Sequence, residues 1–333
     1  MDMINTKRAW SRRYRKDFHA AFDRECVDQH DLLLLNTVTI SVLDGLGSWL
    51  ATRRPEERPA TAVIFRLGAE EGLPGRHYPN LSRWLYRRSI LKLSGQLKWR
   101  LLLATDTDAI GSEFARLTQR PVAAVPLPIS VPEPAPPRQR SPLVSVAFPS
   151  SAYAHKGFAL LPDALRIAMG RRSELRATIR VANPPEAMAS VVERLQAMAP
   201  QVRLVQGALP PDRYYQMISQ ADGILLPYDP VVFAKRSSQI LAEAAALARP
   251  VIVIAGSFLD RECQLAGIAG VTAEAFTGEA LGAALQRFAA GRDLLANAAW
   301  ASCPLHRYRH SASAFMNQLL RFTRSCEAAT SAS

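Results

Sequence analysis

Along residues 31 to 125, short apolar runs alternate with stretches whose apolar positions recur at helical spacing. Asp31–Val38, Thr61–Leu67, Arg100–Thr105 and Val122–Val125 read as strands, with predicted helices at Ile40–Leu50, Leu81–Leu97 and Asp108–Leu117 between them. The same alternation returns after residue 143. It predicts strands at Val144–Phe148, Ala177–Val181, Val202–Val205, Ala221–Pro227, Val251–Ala255 and Gly270–Thr272. Helices are predicted at Phe158–Met169, Glu186–Met198, Pro211–Ser219, Ser237–Ala248 and Leu259–Leu265, then at Gly278–Ala289, Arg292–Ala299 and His306–Phe322. Apolar strands separated by helices belong to parallel sheets covered on both faces.

The alternation breaks once. PLPISVPEPAPPRQRSP, from Pro126 to Pro142, is dominated by proline and has no apolar period, so it reads as an extended linker. The expected organisation is an α/β chain of two Rossmann-like domains facing a cleft. Its parts are a first domain over 1–128 with a basic helix at 7–26, a linker over 129–142, a second domain over 143–325 and a disordered tail over 326–333. A cleft between two such domains is the default place for a ligand.

With 333 residues and 48% hydrophobic content, the chain is long enough for two cores. Its formal charge of +12 implies an anionic partner of some kind. The basic residues are dispersed and no groove-reading or base-stacking motif is present, which argues against nucleic acid. Cys26, Cys263, Cys303 and Cys326 lack metal-ligand spacing, and no carboxylate cluster suggests a metal. With no apolar run long enough to span a bilayer and no signal-peptide pattern, a cytoplasmic location is expected.

Candidate chemistry concentrates in residues 221 to 256, which read as a βαβ unit. The loop after the first strand and the start of the following helix face the ligand crevice in such a unit. Tyr228 opens that loop, Lys235 and Arg236 end it, and Ser237 and Ser238 stand at the helix start, where an anion is favoured. Glu243 follows about 7 Å further along the axis, placed to accept from the hydroxyls of a ribose whose diphosphate sits at the helix start. A solvated surface loop is the competing reading.

The second half resembles the nucleotide-sugar domain of GT-B glycosyltransferases, closest to the family-four type. The matching segments run in order: VSVAFPSSAYAHKGFALLPDAL, VRLVQGALPPDRYYQMISQADGILLPYDP, RSSQILAEAAALARPVIV and SFLDRE. The resemblance covers about residues 140 to 325 well and about 30 to 130 loosely. It implies a hexosyltransferase-like enzyme of bacterial polysaccharide or glycolipid assembly that takes a nucleoside-diphosphate sugar, retains anomeric configuration and needs no metal or cofactor. The family's diphosphate lysine falls on Lys156 and its ribose glutamate on Glu243. Two positions depart from the pattern: Lys235 stands in place of the first glutamate, and Ser150 in place of an arginine. Lys156 and Arg236 are the expected catalytic cations, and Ser150, Tyr228, Lys235, Ser237 and Ser238 complete the expected donor set.

The first half departs further and reads as either shortened or rebuilt on its acceptor side, since nothing before Asp31 supplies the family's opening strand and glycine-rich loop. Asn36, Thr37 and Arg66, at the ends of two predicted strands, are the acceptor-side candidates, with Arg66 equally suited to a salt bridge. A catalytically inactive relative that binds a nucleotide sugar or assembles with a partner remains the alternative. Leu81–Arg100 and the first 18 residues both mix basic and aromatic side chains. That mixture suits a glycan or lipid-linked acceptor met at an anionic membrane face, or an ordinary solvated helix.

Overall fold

A computed structural model describes residues 2–71, 78–136, 141–182 and 184–331. The chain divides into two compact units, Met1–Leu127 with Ser313–Ser333, and Pro128–Ala312.

The first unit runs α1 (Asp2–Arg24), β1 (Leu32–Asn36), α2 (Ile40–Leu50), β2 (Ala60–Phe65), α3 (Pro79–Leu97), β3 (Leu101–Thr105), α4 (Asp108–Thr118) and β4 (Ala123–Ala124). Its four strands pair in chain order and all are parallel. Thr39 and Thr107 cap α2 and α4 by accepting from Val42 N and Ile110 N. One sheet face, carrying Leu33, Val63, Phe65 and Leu103, is buried with Leu46, Trp49, Tyr86, Ile90 and Phe114 from the helices. The basic helix α1 packs on α2. Tyr14 and Phe18 lie close to Gly45, and the Phe22 ring meets Trp49 edge-on at 4.9 Å.

The second unit runs β5 (Val144–Phe148), α5 (Leu161–Arg171), β6 (Leu175–Val181), α6 (Ala189–Gln196), β7 (Val202–Gln206), α7 (Pro211–Gln220), β8 (Gly223–Leu226), α8 (Gln239–Ala246), β9 (Val251–Ile254), α9 (Phe258–Ala266), β10 (Gly270–Ala273) and α10 (Gly278–Arg309). All six strands are parallel, in the order β10-β9-β8-β5-β6-β7. Alternate residues of one strand serve opposite cores. Ile252 and Ile254 join the cluster containing Leu161, Leu165, Leu195 and Phe288, whereas Val251 and Val253 join that of Met217, Ile218, Leu241 and Leu259.

Two expectations need correction. The segment from 278 to 322 was expected as three helices; instead α10 continues unbroken through Pro304 to Arg309, and α11 (Ala312–Ser331) follows. Burial of Ala299, Cys303 and His306 on either side of Pro304 offsets the one helical bond that proline removes. The tail expected as disordered from 326 is helical to Ser331, and α11 groups with the first unit. The cause is the other face of the first sheet: Ala62, Ile64 and Ala104 need a cover, and Phe315 and Leu319 provide it.

The described part of the proline-rich stretch lacks regular structure and is fastened to the second unit. Ile129 N donates to His310 O at 2.9 Å, Tyr215 OH to Ser130 O at 2.7 Å, Arg307 to Pro132 O at 2.9 Å and Arg249 to Ala135 O at 3.1 Å. A segment without a ladder leaves carbonyls that need donors, and tyrosine and arginine side chains supply them. Residues 137–140 of the expected linker lie outside the described residues.

After β5 the chain makes two short 3-10 turns, Ala154–Lys156 and Phe158–Leu160, hinged at Gly157 with φ 75°. A Cβ at Gly157 would lie 2.0 Å from Pro227 O, at the end of β8. Gly157→Ala is therefore expected to cost about 3 kcal/mol in chemical denaturation, from overpacking added to left-handed strain. Gly170→Ala, with no neighbour within 4 Å, should change stability by no more than about 1 kcal/mol in the favourable direction.

Candidate functional site

Strand order in the second sheet reverses between β5 and its neighbour β8, and a parallel sheet opens a ligand crevice at such a reversal, beyond the carboxyl ends of its strands. The β5 loop carries Ser150 and Lys156; the β8 loop carries Tyr228, Phe233, Lys235 and Arg236 and leads into α8. Asp229 N donates to His155 O at 3.0 Å, joining the loops through their backbones.

Tyr228 is fully buried. Its hydroxyl shares a hydrogen bond with Ser150 Oγ at 2.9 Å and another with the Ser238 side chain. Ser238 occupies the N-cap position of α8, yet its side chain makes no capping bond among the described residues. The three hydroxyls expected to touch a ligand are thus spent on one another and lock the loops together.

The Lys156 ammonium stands 3.8 Å from the centroid of the Tyr228 ring and 4.3 Å from that of Phe233. The two π faces attract the cation, but burial removes its water, and the net effect lowers its pKa from 10.5 to about 8. Burial also pulls the Arg236 guanidinium below its ordinary value. Lys235 and Ser237 are half-buried in the same loop. Among the described residues, no group of three or more His, Cys, Asp or Glu is placed to hold a metal ion.

Glu243 is 2% exposed on α8. Tyr214 OH donates to its Oε2 at 2.7 Å, Gln239 Nε2 to its Oε1 at 2.9 Å, and Tyr215 OH lies 3.5 Å from the same Oε1. Burial raises its pKa; the hydrogen bonds from Tyr214 and Gln239 oppose the shift, and the longer Tyr215 approach opposes it weakly. Arg180, at the end of β6, donates to Pro149 O at 3.2 Å and lies 6.0 Å from the Tyr214 ring centroid.

The structure therefore brings Ser150, Lys156, Tyr228, Lys235, Arg236, Ser237, Ser238 and Glu243 onto two loops and one helix at a single reversal point. Phe233, Tyr214, Tyr215, Gln239 and Arg180 were missed from sequence. Of these, Gln239 had a readable signal, four residues before Glu243 on one helix face.

The acceptor-side candidates lie in the first unit at the carboxyl ends of two adjacent strands. Asn36 and Thr37 are exposed after β1, with Thr37 Oγ1 donating to Asn36 Oδ1 at 3.4 Å. Thr37 has φ 68°, an unfavourable value for a β-branched residue. Arg66 follows β2, with its Nε 3.5 Å from Asp106 Oδ2 after β3.

No family model and no curated protein matches the chain. Solved structures do. Sucrose-phosphate synthase (tll1590) from Thermosynechococcus elongatus aligns over 94% of this chain and 76% of its own, with a TM-score of 0.66 and 13% identity. A glycosyltransferase from Rickettsia africae ESF-5 aligns over 94% and 80%, with a TM-score of 0.68 and 12% identity. The pneumococcal O-GlcNAc transferase GtfA, in complex with UDP and GlcNAc, aligns over 92% of this chain with a TM-score of 0.60 and 14% identity. This chain spans 59% of the length of GtfA. Two all-parallel α/β units shared with these structures give the chain the fold of GT-B glycosyltransferases.

Proposed function

We propose that the chain is a glycosyltransferase that binds a nucleoside-diphosphate sugar at the β5–β8 reversal and passes the sugar to a glycan or lipid-linked acceptor. One observation carries this reading: Lys156 and Arg236 lie on the two loops at the strand-order reversal, and Glu243 lies on the helix that follows the second loop. A diphosphate fits the first and a ribose the second. GtfA holds UDP in its own crystal structure, and the donor proposed here belongs to the same class.

In this mechanism Lys156, Lys235 and Arg236 provide fixed positive potential where negative charge grows on the departing diphosphate. Side-chain cations then do the work that a divalent ion does elsewhere, so the proposal needs no metal. Retention of configuration is the part taken from the family resemblance alone. Asn36, Thr37 and Arg66 are the proposed acceptor contacts. Lys235, in place of a glutamate, favours one other reading, a relative that binds the donor without transferring it; bound nucleotide sugar with neither transfer nor hydrolysis would distinguish that case.

The lipid-linked acceptor is met at an anionic membrane surface in this proposal, although no described helix is long and apolar enough to cross a membrane. Its support is the outward face of α3 and the turn after it. Trp84, Leu91 and Trp99 are 53%, 39% and 38% exposed, beside exposed Arg87, Arg88, Lys92 and Lys98. Arg88 lies 5.5 Å from the Trp84 ring centroid, so cation and aromatic are presented together. Each basic side chain at an anionic bilayer gains about 1 kcal/mol, screened over about 8 Å at physiological salt.

Three outcomes are expected. In calorimetry, Lys156→Ala and Arg236→Ala should each weaken UDP, ADP or GDP binding about tenfold, the size of one charge-assisted hydrogen bond, and leave nucleoside binding unchanged; equal losses for both would remove these side chains from the phosphates. Lys156 binds phosphate as the cation. Because its pKa in the folded protein is about 8, affinity for the diphosphate should fall as pH rises through 8. Lys156→Arg, charged throughout, should flatten that profile. Finally, co-sedimentation should require vesicles with anionic lipid and weaken as salt rises. It should also fall when Arg87, Arg88 and Lys92 are together changed to Gln, and equal binding to neutral vesicles would refute the membrane contact.

A further inference from the structure

Charge neutralisation does not account for the two tyrosines that open α7. A carboxylate as buried as Glu243 loses most of its hydration, and among the described residues its partners include no lysine or arginine. The cost falls instead on neutral donors. Tyr215 has a single hydroxyl proton, and it goes to Ser130 O at 2.7 Å, leaving its 3.5 Å approach to Glu243 a weak contact. Tyr214 spends its proton on Glu243 Oε2 at 2.7 Å. The adjacent phenols thus have different tasks: Tyr215 fastens the proline-rich strap, and Tyr214 holds the carboxylate. Tyr214 and Gln239 each take one lone pair on a different oxygen, so each oxygen keeps about one more to accept a hydroxyl.

We infer that Tyr214 is the positioning residue of the donor site, orienting the Glu243 carboxylate to discriminate a ribose from a deoxyribose. This inference rests on the proposed donor site. Its test measures binding of UDP, ADP and GDP, their 2′-deoxy counterparts and inorganic pyrophosphate to the full chain and to four variants, one of them a double. Tyr214→Phe should lower the ribose preference about tenfold, equivalent to one hydrogen bond to a charged group, with pyrophosphate affinity unchanged. Tyr215→Phe should leave the preference intact. In a Glu243→Gln background, Tyr214→Phe should have no further effect on it, which a merely structural role would not reproduce. Where Tyr214→Phe fails to fold, Tyr214→Met, apolar and without a donor, carries the same comparison. An unchanged preference in the Tyr214 variant, alongside a lowered one in Glu243→Gln, overturns the positioning role and leaves the donor site standing. No preference in the parent chain, or none lost in Glu243→Gln, overturns the ribose reading of Glu243 and this inference with it.

Discussion

The close approach of two loops at the carboxyl ends of β5 and β8 governs this molecule. A parallel sheet that reverses strand order sends its loops to opposite faces at that point, and here they are drawn back together. Gly157 touches Pro227 O at a distance that excludes any side chain, and the Tyr228 hydroxyl bonds to Ser150 and Ser238 in a buried cluster. This packing creates the chemistry as well as the shape. With the loops closed, Lys156 lies against two aromatic faces with little water, and its pKa falls to about 8. A cation held at this cost gains more from an arriving phosphate than a solvated lysine would.

Covering the sheets consumes chain from both ends of the sequence. The first sheet is closed on one face by the helices between its strands, and on the other by α11, some 190 residues beyond β4 in sequence. The strap from Ile129 to Ala135 follows a related logic. Its carbonyls have no ladder partner, and donors from α7, α10 and Arg249 satisfy several of them. Through Tyr215 the strap meets the same α7 tyrosine pair that holds Glu243, so strap and candidate site share one helix turn.

Local signals explain what was legible in sequence. Ile40–Leu50 and Val144–Phe148 were read to the residue, because a threonine cap starts the first and proline stands near both ends of the second. Apolar alternation carried the two-sheet fold, and the βαβ unit carried the position of Lys235, Arg236 and Glu243. Long-range contacts were hidden. Tyr214 reaches Glu243 across 29 residues and Phe233 reaches Lys156 across 77, and no period in the chain encodes either. The helix breaks expected within 278–322 failed for the opposite reason: Gly291 and Pro304 stand in the expected gaps, but α10 runs through both, held by buried positions from Leu281 to His306.

The placement of charge also favours a two-part ligand. Had the site been built for phosphate alone, a buried carboxylate nearby would oppose binding, and pairing it with Lys156 or Arg236 would cancel the field the phosphate needs. Instead the cations sit on the loops, while Glu243 is stabilised by neutral hydroxyl and amide donors. Neutral donors keep the carboxylate able to accept without neutralising the cations. An anion bound at the loops and a hydroxyl donor bound at α8 therefore do not compete, and a molecule carrying both at the right separation gains from each. On the donor reading proposed above, inorganic phosphate would satisfy the loops only, a nucleoside α8 only, and a nucleoside diphosphate both.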